Sequence, residues 1–146
     1  MALEDLYRDV ILDHYRNPRH QKPLDAPDSS AEGVNPLCGD EVIVEVSFDG
    51  DSLTDISVRG QGCSISQSSA SMMSDLLVGK TRQEIDALAE KFHTMMTAED
   101  EDATGVDPAR PGSVLGDIEA LQGVRRYPVR IKCASLPWTT LEQALN

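Results

Sequence analysis

The residues best suited to chemistry in this 146-residue sequence are its three cysteines and one nearby aspartate. Cys38 and Asp40 flank Gly39 just ahead of a β-like run. Cys63 follows a Gly-Gln-Gly segment where a helix-like run begins, and Cys133 follows a basic stretch. Three thiolates and a carboxylate form a four-coordinate donor set that suits zinc, and ferrous iron or a small iron-sulfur cluster can use the same thiolates. The pattern alone favours a simpler interpretation, three buried or unrelated cysteines, because the sequence contains no Cys-x-x-Cys pair and does not show that three distant loops meet.

The surroundings of two of these cysteines favour the thiolate form. The exposed amides and partial positive charge of a helix N-terminus stabilise an anion at Cys63. A cluster of basic residues precedes Cys133 and is expected to lower the pKa of its thiol. The members of that cluster are Arg125, Arg126, Arg130 and Lys132.

The composition excludes several classes of protein. Thirteen basic residues stand against 25 acidic ones, for a formal charge of -12, and such a balance repels nucleic acids and anionic membranes. No apolar run is long enough to span a bilayer, and no signal peptide is recognisable. The odd number of cysteines argues against a disulfide framework. We therefore expect a soluble cytoplasmic protein made of a single domain over residues 1–146.

The first half of the sequence predicts one helix and one hairpin. Apolar residues at three- and four-residue steps predict a helix over residues 3–14. Residues 21–36 are rich in proline and serine, and we expect an extended connector without regular structure. Alternating apolar residues predict strands at 41–48 and 53–58, joined by a tight turn at Asp49-Gly50.

The second half of the sequence predicts helices. A serine-rich helix spans the region from 65 to 79, and its small side chains would let another backbone come close. A capping box at 81–84 begins the next helix. An acidic insertion at about 97–116 is expected to be a mobile loop, followed by a short helix at 118–122 and a final helix at 128–145. These elements together predict an α+β fold with a small antiparallel sheet packed by helices.

Five motifs, in order along nearly the whole chain, resemble the SufU branch of the IscU/NifU-type iron-sulfur assembly proteins. They are Tyr7-Arg-Asp-Val-Ile-Leu-Asp-His-Tyr15 with Asn17-Pro18, Asn35-Pro-Leu-Cys-Gly-Asp40, Gly60-Gln-Gly-Cys-Ser-Ile-Ser66 with Ala70-Ser-Met-Met73, Gly116-Asp-Ile-Glu-Ala-Leu-Gln-Gly123, and Pro128-Val-Arg-Ile-Lys-Cys133. The resemblance implies the SufE/NifU fold and a zinc-dependent sulfurtransferase. Zinc would be held by Cys38, Asp40, Cys63 and Cys133.

The resemblance also implies partners and a role for Cys38. A SufS-like, pyridoxal-phosphate-dependent cysteine desulfurase would form a persulfide, and Cys38 would accept its sulfur and pass it to a SufBCD-type assembly complex. Cys38 would leave zinc when a histidine of the desulfurase replaces it as a ligand. Its position beside Gly39, on a turn that can move, favours it over the other cysteines as the acceptor.

Two other interpretations stay open. Scaffold-type relatives carry a histidine immediately before the third cysteine and a Leu-Pro-Pro-Val-Lys segment, whereas this chain has Lys132 and Tyr127-Pro-Val-Arg130 at those places. A scaffold that binds a transient iron-sulfur cluster on the same cysteines is nevertheless the first alternative, and a purely structural zinc is the second. The histidines His14, His20 and His93 are expected in packing or surface roles, and Trp138 is expected as a packed anchor.

Overall fold

The chain forms a three-stranded antiparallel sheet covered by helices, which confirms the predicted α+β class. The computed structural model describes residues 3–99, 103–107 and 109–145, with side chains described from residue 8 onward. Its helices and strands are α1 (Leu3–Arg16), β1 (Ser29–Asn35), β2 (Asp40–Asp49), β3 (Ser52–Gln61), α2 (Ser64–Leu77), α3 (Arg82–Thr97), a 3-10 helix (Gly116–Arg126) and α4 (Pro128–Leu145). None of the described helices is both long and apolar enough to cross a membrane.

The hairpin of β2 and β3 forms as the sequence predicts, with longer strands. Val44 pairs with Val58 in the middle of the hairpin, and Gly50 has a positive φ of 63° in the connecting turn. Glycine adopts this conformation without a steric penalty. The alternating valines of β2 point inward, so one face of the sheet is buried.

Strand β1 contradicts the prediction that residues 21–36 contain no regular structure. It pairs with β2 along its full length and completes the sheet in the order β1-β2-β3. Its inward positions carry small or polar residues, among them Ala31 and Gly33, so the strand lacks the apolar alternation used to recognise strands. The reason for a small residue is packing: a Cβ on Gly33 would collide with the Thr140 side chain of α4 and come within 3.1 Å of Leu136.

The core lies between the sheet and helices α2, α3 and α4. Trp138 is fully buried and stacks on Phe92 at a centroid distance of 4.6 Å, which confirms its predicted role as a packed anchor. Serines on α2 let that helix approach α4, and the Ser69 hydroxyl donates a 2.6 Å hydrogen bond to the Ala134 carbonyl. The final helix has the predicted bounds and continues through Pro137. A capping box between Thr81 and Glu84 begins α3, as predicted.

The acidic insertion differs from the predicted mobile loop in its C-terminal part. Residues 100–102 and 108 lie outside the described residues. Leu115 is fully buried, and the buried carboxylate of Glu119 accepts backbone hydrogen bonds from Gly112, Val114 and Leu115. The predicted short helix at 118–122 is a longer 3-10 helix, and Glu119 on it holds residues 112–115 in place.

Candidate metal centre

The four predicted ligands come from three separate elements that meet at one end of the sheet. Asn35 and Asp40 are paired at the end of the β1–β2 ladder, so the chain between them forms a tight turn that carries Cys38. Gly39 has a positive φ of 68° in this turn. Cys63 is the N-cap of α2, and Cys133 lies in the second turn of α4.

Three of the predicted ligands form one group in the described part of the chain. A donor atom from each of Cys38, Asp40 and Cys133 lies within 4.8 Å of the other two. The sulfurs of Cys38 and Cys133 are 3.3 Å apart. Two thiolates on one tetrahedral zinc, with Zn–S distances of about 2.3 Å, lie about 3.8 Å apart. The observed spacing is close to that value, so these donors fit a zinc ion after a small displacement.

Cys63 stands at the edge of this group and contacts it through Asp40. Its backbone N–H donates a 2.9 Å hydrogen bond to Oδ1 of Asp40, and its Sγ lies 4.0 Å from Oδ2. The thiol also lies 3.9 Å from the Ser66 hydroxyl. The structure therefore brings all four predicted residues into contact, with Cys63 the most peripheral of them.

Gly62 explains why the Gly-Gln-Gly segment precedes Cys63. A Cβ on Gly62 would collide with the Asp40 carboxylate and would lie 2.8 Å from the Ser66 hydroxyl. Its φ of 151° is also one that other residues rarely adopt. The glycine allows β3 to leave the sheet directly against Asp40, and this close approach places Cys63 beside the carboxylate.

Asp40 is a buried carboxylate that is held in its charged form. Burial raises its pKa, but hydrogen bonds to the carboxylate act in the opposite direction and outweigh it, so the pKa lies below its ordinary value. The donors are the backbone N–H of Cys63, the thiols of Cys133 and Cys63, and the Ser66 hydroxyl. An ionised carboxylate is the form that coordinates a metal.

Cys133 contradicts the prediction that neighbouring basic residues lower its pKa. The side chain is fully buried, and burial is the main reason why its pKa is raised; hydrogen bonds to Asp40 and Cys38 add to the shift. Arg125 points elsewhere and donates to the carbonyls of Gln122 and Ala98. The thiol therefore keeps its proton at neutral pH, and a bound cation would have to replace that proton.

Two further residues belong to the site. Asn35, which sequence reasoning missed as a site residue, is buried, and its Nδ2 lies 3.4 Å from Asp40 Oδ2 and 3.7 Å from the Cys133 sulfur. The sequence feature that could have identified Asn35 is its position as the first residue of the Asn35–Asp40 motif. Arg130 is exposed at the mouth of the site, and its interaction with the Cys63 side chain is the main reason why its pKa is raised.

The predicted packing and surface roles of the histidines agree with their contacts. The His14 ring is buried and also contacts Ser71 at 2.8 Å. Each histidine contacts a carboxylate: His14 with Asp117, His20 with Asp75, and His93 with Glu142.

Comparison with known families identifies the fold and the relatives of the chain. The family model described as the NifU-like N-terminal domain matches residues 6–134. The chain belongs to this family. The resemblance seen in the sequence motifs is therefore confirmed, and the family match covers most of the 146-residue chain.

Relatives of this NifU-like domain carry two different functional names. The chain is 43% identical over 144 residues to the zinc-dependent sulfurtransferase SufU of Bacillus subtilis (strain 168). The match covers 98% of this chain and 91% of that protein. The chain is 39% identical to the iron-sulfur cluster assembly scaffold protein IscU of Streptococcus pyogenes serotype M1, covering 99% of this chain and 85% of that protein.

A solved structure confirms the predicted SufE/NifU-type fold. The crystal structure of a putative iron-sulfur cluster assembly scaffold protein for the SUF system, from Fervidobacterium islandicum AW-1, superposes on this NifU-like domain with a TM-score of 0.84. The two chains are 34% identical, and the match covers 99% of this chain and 100% of that one.

Proposed function

We propose that this protein is a zinc-dependent sulfurtransferase of iron-sulfur cluster assembly. It accepts persulfide sulfur from a SufS-like cysteine desulfurase and passes it to a SufBCD-type assembly complex. The observation that carries the proposal is the group formed by Cys38, Asp40 and Cys133 with Cys63 at its edge. The similarity of the chain to a protein named as a zinc-dependent sulfurtransferase supports the same function.

The donor set suits zinc as a resident ion. Cys38, Asp40, Cys63 and Cys133 would hold it, and they supply the sulfur and oxygen ligands of a four-coordinate site. When bound, zinc keeps thiolates deprotonated at neutral pH and has no redox chemistry that would oxidise them. Asn35 helps to orient two of these ligands, because its amide contacts both Asp40 and Cys133.

Cys38 is the best placed of the thiols to accept sulfur. It is half-buried on a turn, whereas Cys133 is fully buried in a helix and Cys63, although also half-buried, is fixed at the N-terminus of α2. The Cys38 thiolate attacks the terminal sulfur of the donor's cysteine persulfide. The bond between the two donor sulfurs breaks, the donor cysteine leaves as a thiolate, and Cys38 becomes a persulfide. One sulfur atom moves and there is no net oxidation or reduction.

The test combines the protein with the cysteine desulfurase of the same organism, cysteine and zinc. We expect cysteine turnover to rise and mass spectrometry to find one added sulfur atom on Cys38. Cys38→Ser should abolish both results, whereas the matched surface variant Ser30→Ala should retain them. Stimulation and sulfur transfer that survive in Cys38→Ser would show that Cys38 is not the acceptor.

The second candidate function is a scaffold for a transient iron-sulfur cluster. The similarity to a protein named IscU favours it, because the same thiols can hold iron. One residue argues against the scaffold: the exposed Lys132 stands immediately before Cys133, where scaffold-type relatives carry a histidine. Anaerobic purification separates the two candidates: a cluster gives visible absorption, whereas a zinc protein is colourless. A full complement of tightly bound cluster and no zinc would favour the scaffold.

A further inference from the structure

A groove of about 940 Å³ opens beside Cys63, between α1, the start of α2, the 3-10 helix and the start of α4. Its floor and walls are mainly apolar and include Ile11, Ile65 and Val129. Three arginines also line it, and we call it the arginine-rimmed groove: the three are Arg8, Arg126 and Arg130.

The charge of this groove is opposite to that of the molecule as a whole. The chain has a formal charge of -12, yet the three groove arginines are all exposed. Three arginines outside the groove pair with the chain's own carboxylates: Arg19 with Asp13, Arg59 with Glu45, and Arg110 with Asp107. Within the described residues, no carboxylate lies within ion-pair distance of Arg8 or Arg130.

Exposed apolar side chains also concentrate around this end of the molecule. Tyr127 and Val129 line the groove and are 64% and 59% exposed. On the other side of the site, Leu37 next to Cys38 is 72% exposed and Val34 at the end of β1 is 61% exposed. Exposed apolar surface with a charged rim is typical of a protein interaction site.

We propose that the arginine-rimmed groove binds a segment of the sulfur-donating protein in which acidic side chains flank an apolar side chain. The apolar side chain would occupy the space between Ile11, Ile65 and Val129, and the carboxylates would pair with Arg8 and Arg130. This inference rests on the proposed function and adds the docking chemistry. A polyanion such as nucleic acid fits less well, because the rest of the surface is strongly acidic and the groove is largely apolar.

The position of the groove connects docking to sulfur transfer. Cys63 and Arg130 both line the groove, and Cys63 contacts Asp40 of the cysteine group. A partner segment seated here therefore lies alongside the cysteine group. The groove would hold the donor in place while the Cys38 persulfide forms.

The experiment measures binding of the zinc-loaded protein to the cysteine desulfurase of the same organism by calorimetry, at low and high salt. Arg8→Glu should weaken binding by about tenfold at low salt and less at high salt, because exposed charges are screened. Val129→Ser, which removes apolar contact without adding a charge, should weaken binding to a similar degree at both salt concentrations. Lys22→Glu, which makes the same charge change at an exposed residue outside the groove, should bind like the original protein.

Zinc content and the circular dichroism spectrum are measured for every variant, so that a misfolded protein is not mistaken for a docking defect. Sedimentation measured on the same variants tests whether a second copy of this chain fills the groove. If Arg8→Glu and Val129→Ser bind the desulfurase like the original protein, the docking proposal is overturned. A change in oligomeric state with unchanged desulfurase binding would overturn it too.

The two proposals fail in different ways. Binding that depends on Arg8, together with no sulfur on Cys38, would overturn the transfer function and leave the docking surface supported. Sulfur on Cys38 with binding that ignores both groove substitutions would overturn the docking surface alone. Neither binding nor transfer by the original protein would overturn both.

Discussion

Among the residues that the structure describes, two carboxylates are almost completely buried, and their hydrogen-bond donors differ. Glu119 is 2% exposed and accepts three backbone N–H groups, from Gly112, Val114 and Leu115, each at 2.9 Å. Backbone donors cannot lose their protons or turn away, so Glu119 serves the fold. It holds the end of the insertion on the 3-10 helix.

Asp40 is fully buried and accepts from one backbone N–H and from several side chains. Two of those donors are the thiols of Cys63 and Cys133, which can exchange a proton for a metal ion. The comparison shows that burial alone does not distinguish a structural carboxylate from a functional one. The chemistry of the donors around it does.

The largest expected effect is on the structural carboxylate. Glu119→Ala leaves three backbone N–H groups without this acceptor, the one of Leu115 buried and those of Gly112 and Val114 partly buried, and should lower the free energy of unfolding by about 3 kcal/mol. Urea denaturation measures it, with Glu90→Ala on the exposed side of α3 as the control. Zinc stoichiometry of the folded variant should stay unchanged. A loss below about 1 kcal/mol would show that water replaces the carboxylate.

The functional carboxylate should behave in the opposite way. Asp40→Asn keeps the shape and one acceptor oxygen, so the metal-free free energy of unfolding should change by about 1 kcal/mol or less. Zinc affinity should fall by about a hundredfold, or about 2.7 kcal/mol, because a neutral amide is a poor zinc ligand. Competition with a chromogenic chelator measures this affinity, and Asp55→Asn at an exposed site is the control. Unchanged zinc affinity would remove Asp40 from the ligand set.

A smaller effect is expected from the amide behind Asp40. Asn35→Ala removes the contacts to Asp40 and to the Cys133 sulfur. Residues that orient ligands contribute about tenfold or more to metal affinity, so zinc binding should weaken by about tenfold. Asn17→Ala, which removes an exposed amide contact to Asp13, should leave it unchanged. Equal affinities in the two variants would show that Asn35 only fills space.

The smallest expected signal is one proton. Because burial raises the pKa of Cys133, its thiol is protonated in the metal-free protein at neutral pH. Zinc binding should therefore release that proton, and Cys133→Ser should release about one proton fewer. Calorimetry in buffers of different ionisation enthalpy counts the protons. The same count in both proteins would mean that the Cys133 thiol is already ionised before zinc binds.

The parts of the fold that depend on local chemistry could be predicted from the sequence. The Asp49-Gly50 turn and the Thr81 capping box are decided by residues a few positions apart, and both are confirmed. Strand β1 could not be recognised, because its inward residues are small to fit against α4, which lies far away in sequence.

The candidate site shows the same division. Cysteines 38, 63 and 133 could be selected by residue type and family resemblance, but their convergence depends on the packing of α4 against the sheet. The pKa of Cys133 was predicted in the wrong direction, because nearby arginines are visible in the sequence and burial is not. Asn35 was missed as a site residue because its role follows from its pairing with Asp40 across the end of the ladder.

The distance along the chain between Cys63 and Cys133 has a consequence for biosynthesis. The residues that separate them take about 4–14 s to translate at about 5–20 residues per second. During that time the first two thiols have no third partner, because α4 has not yet been made. The proposed metal centre can therefore close only after the last helix has folded onto the sheet. Metal loading would thus report that a newly made molecule has acquired its final helix.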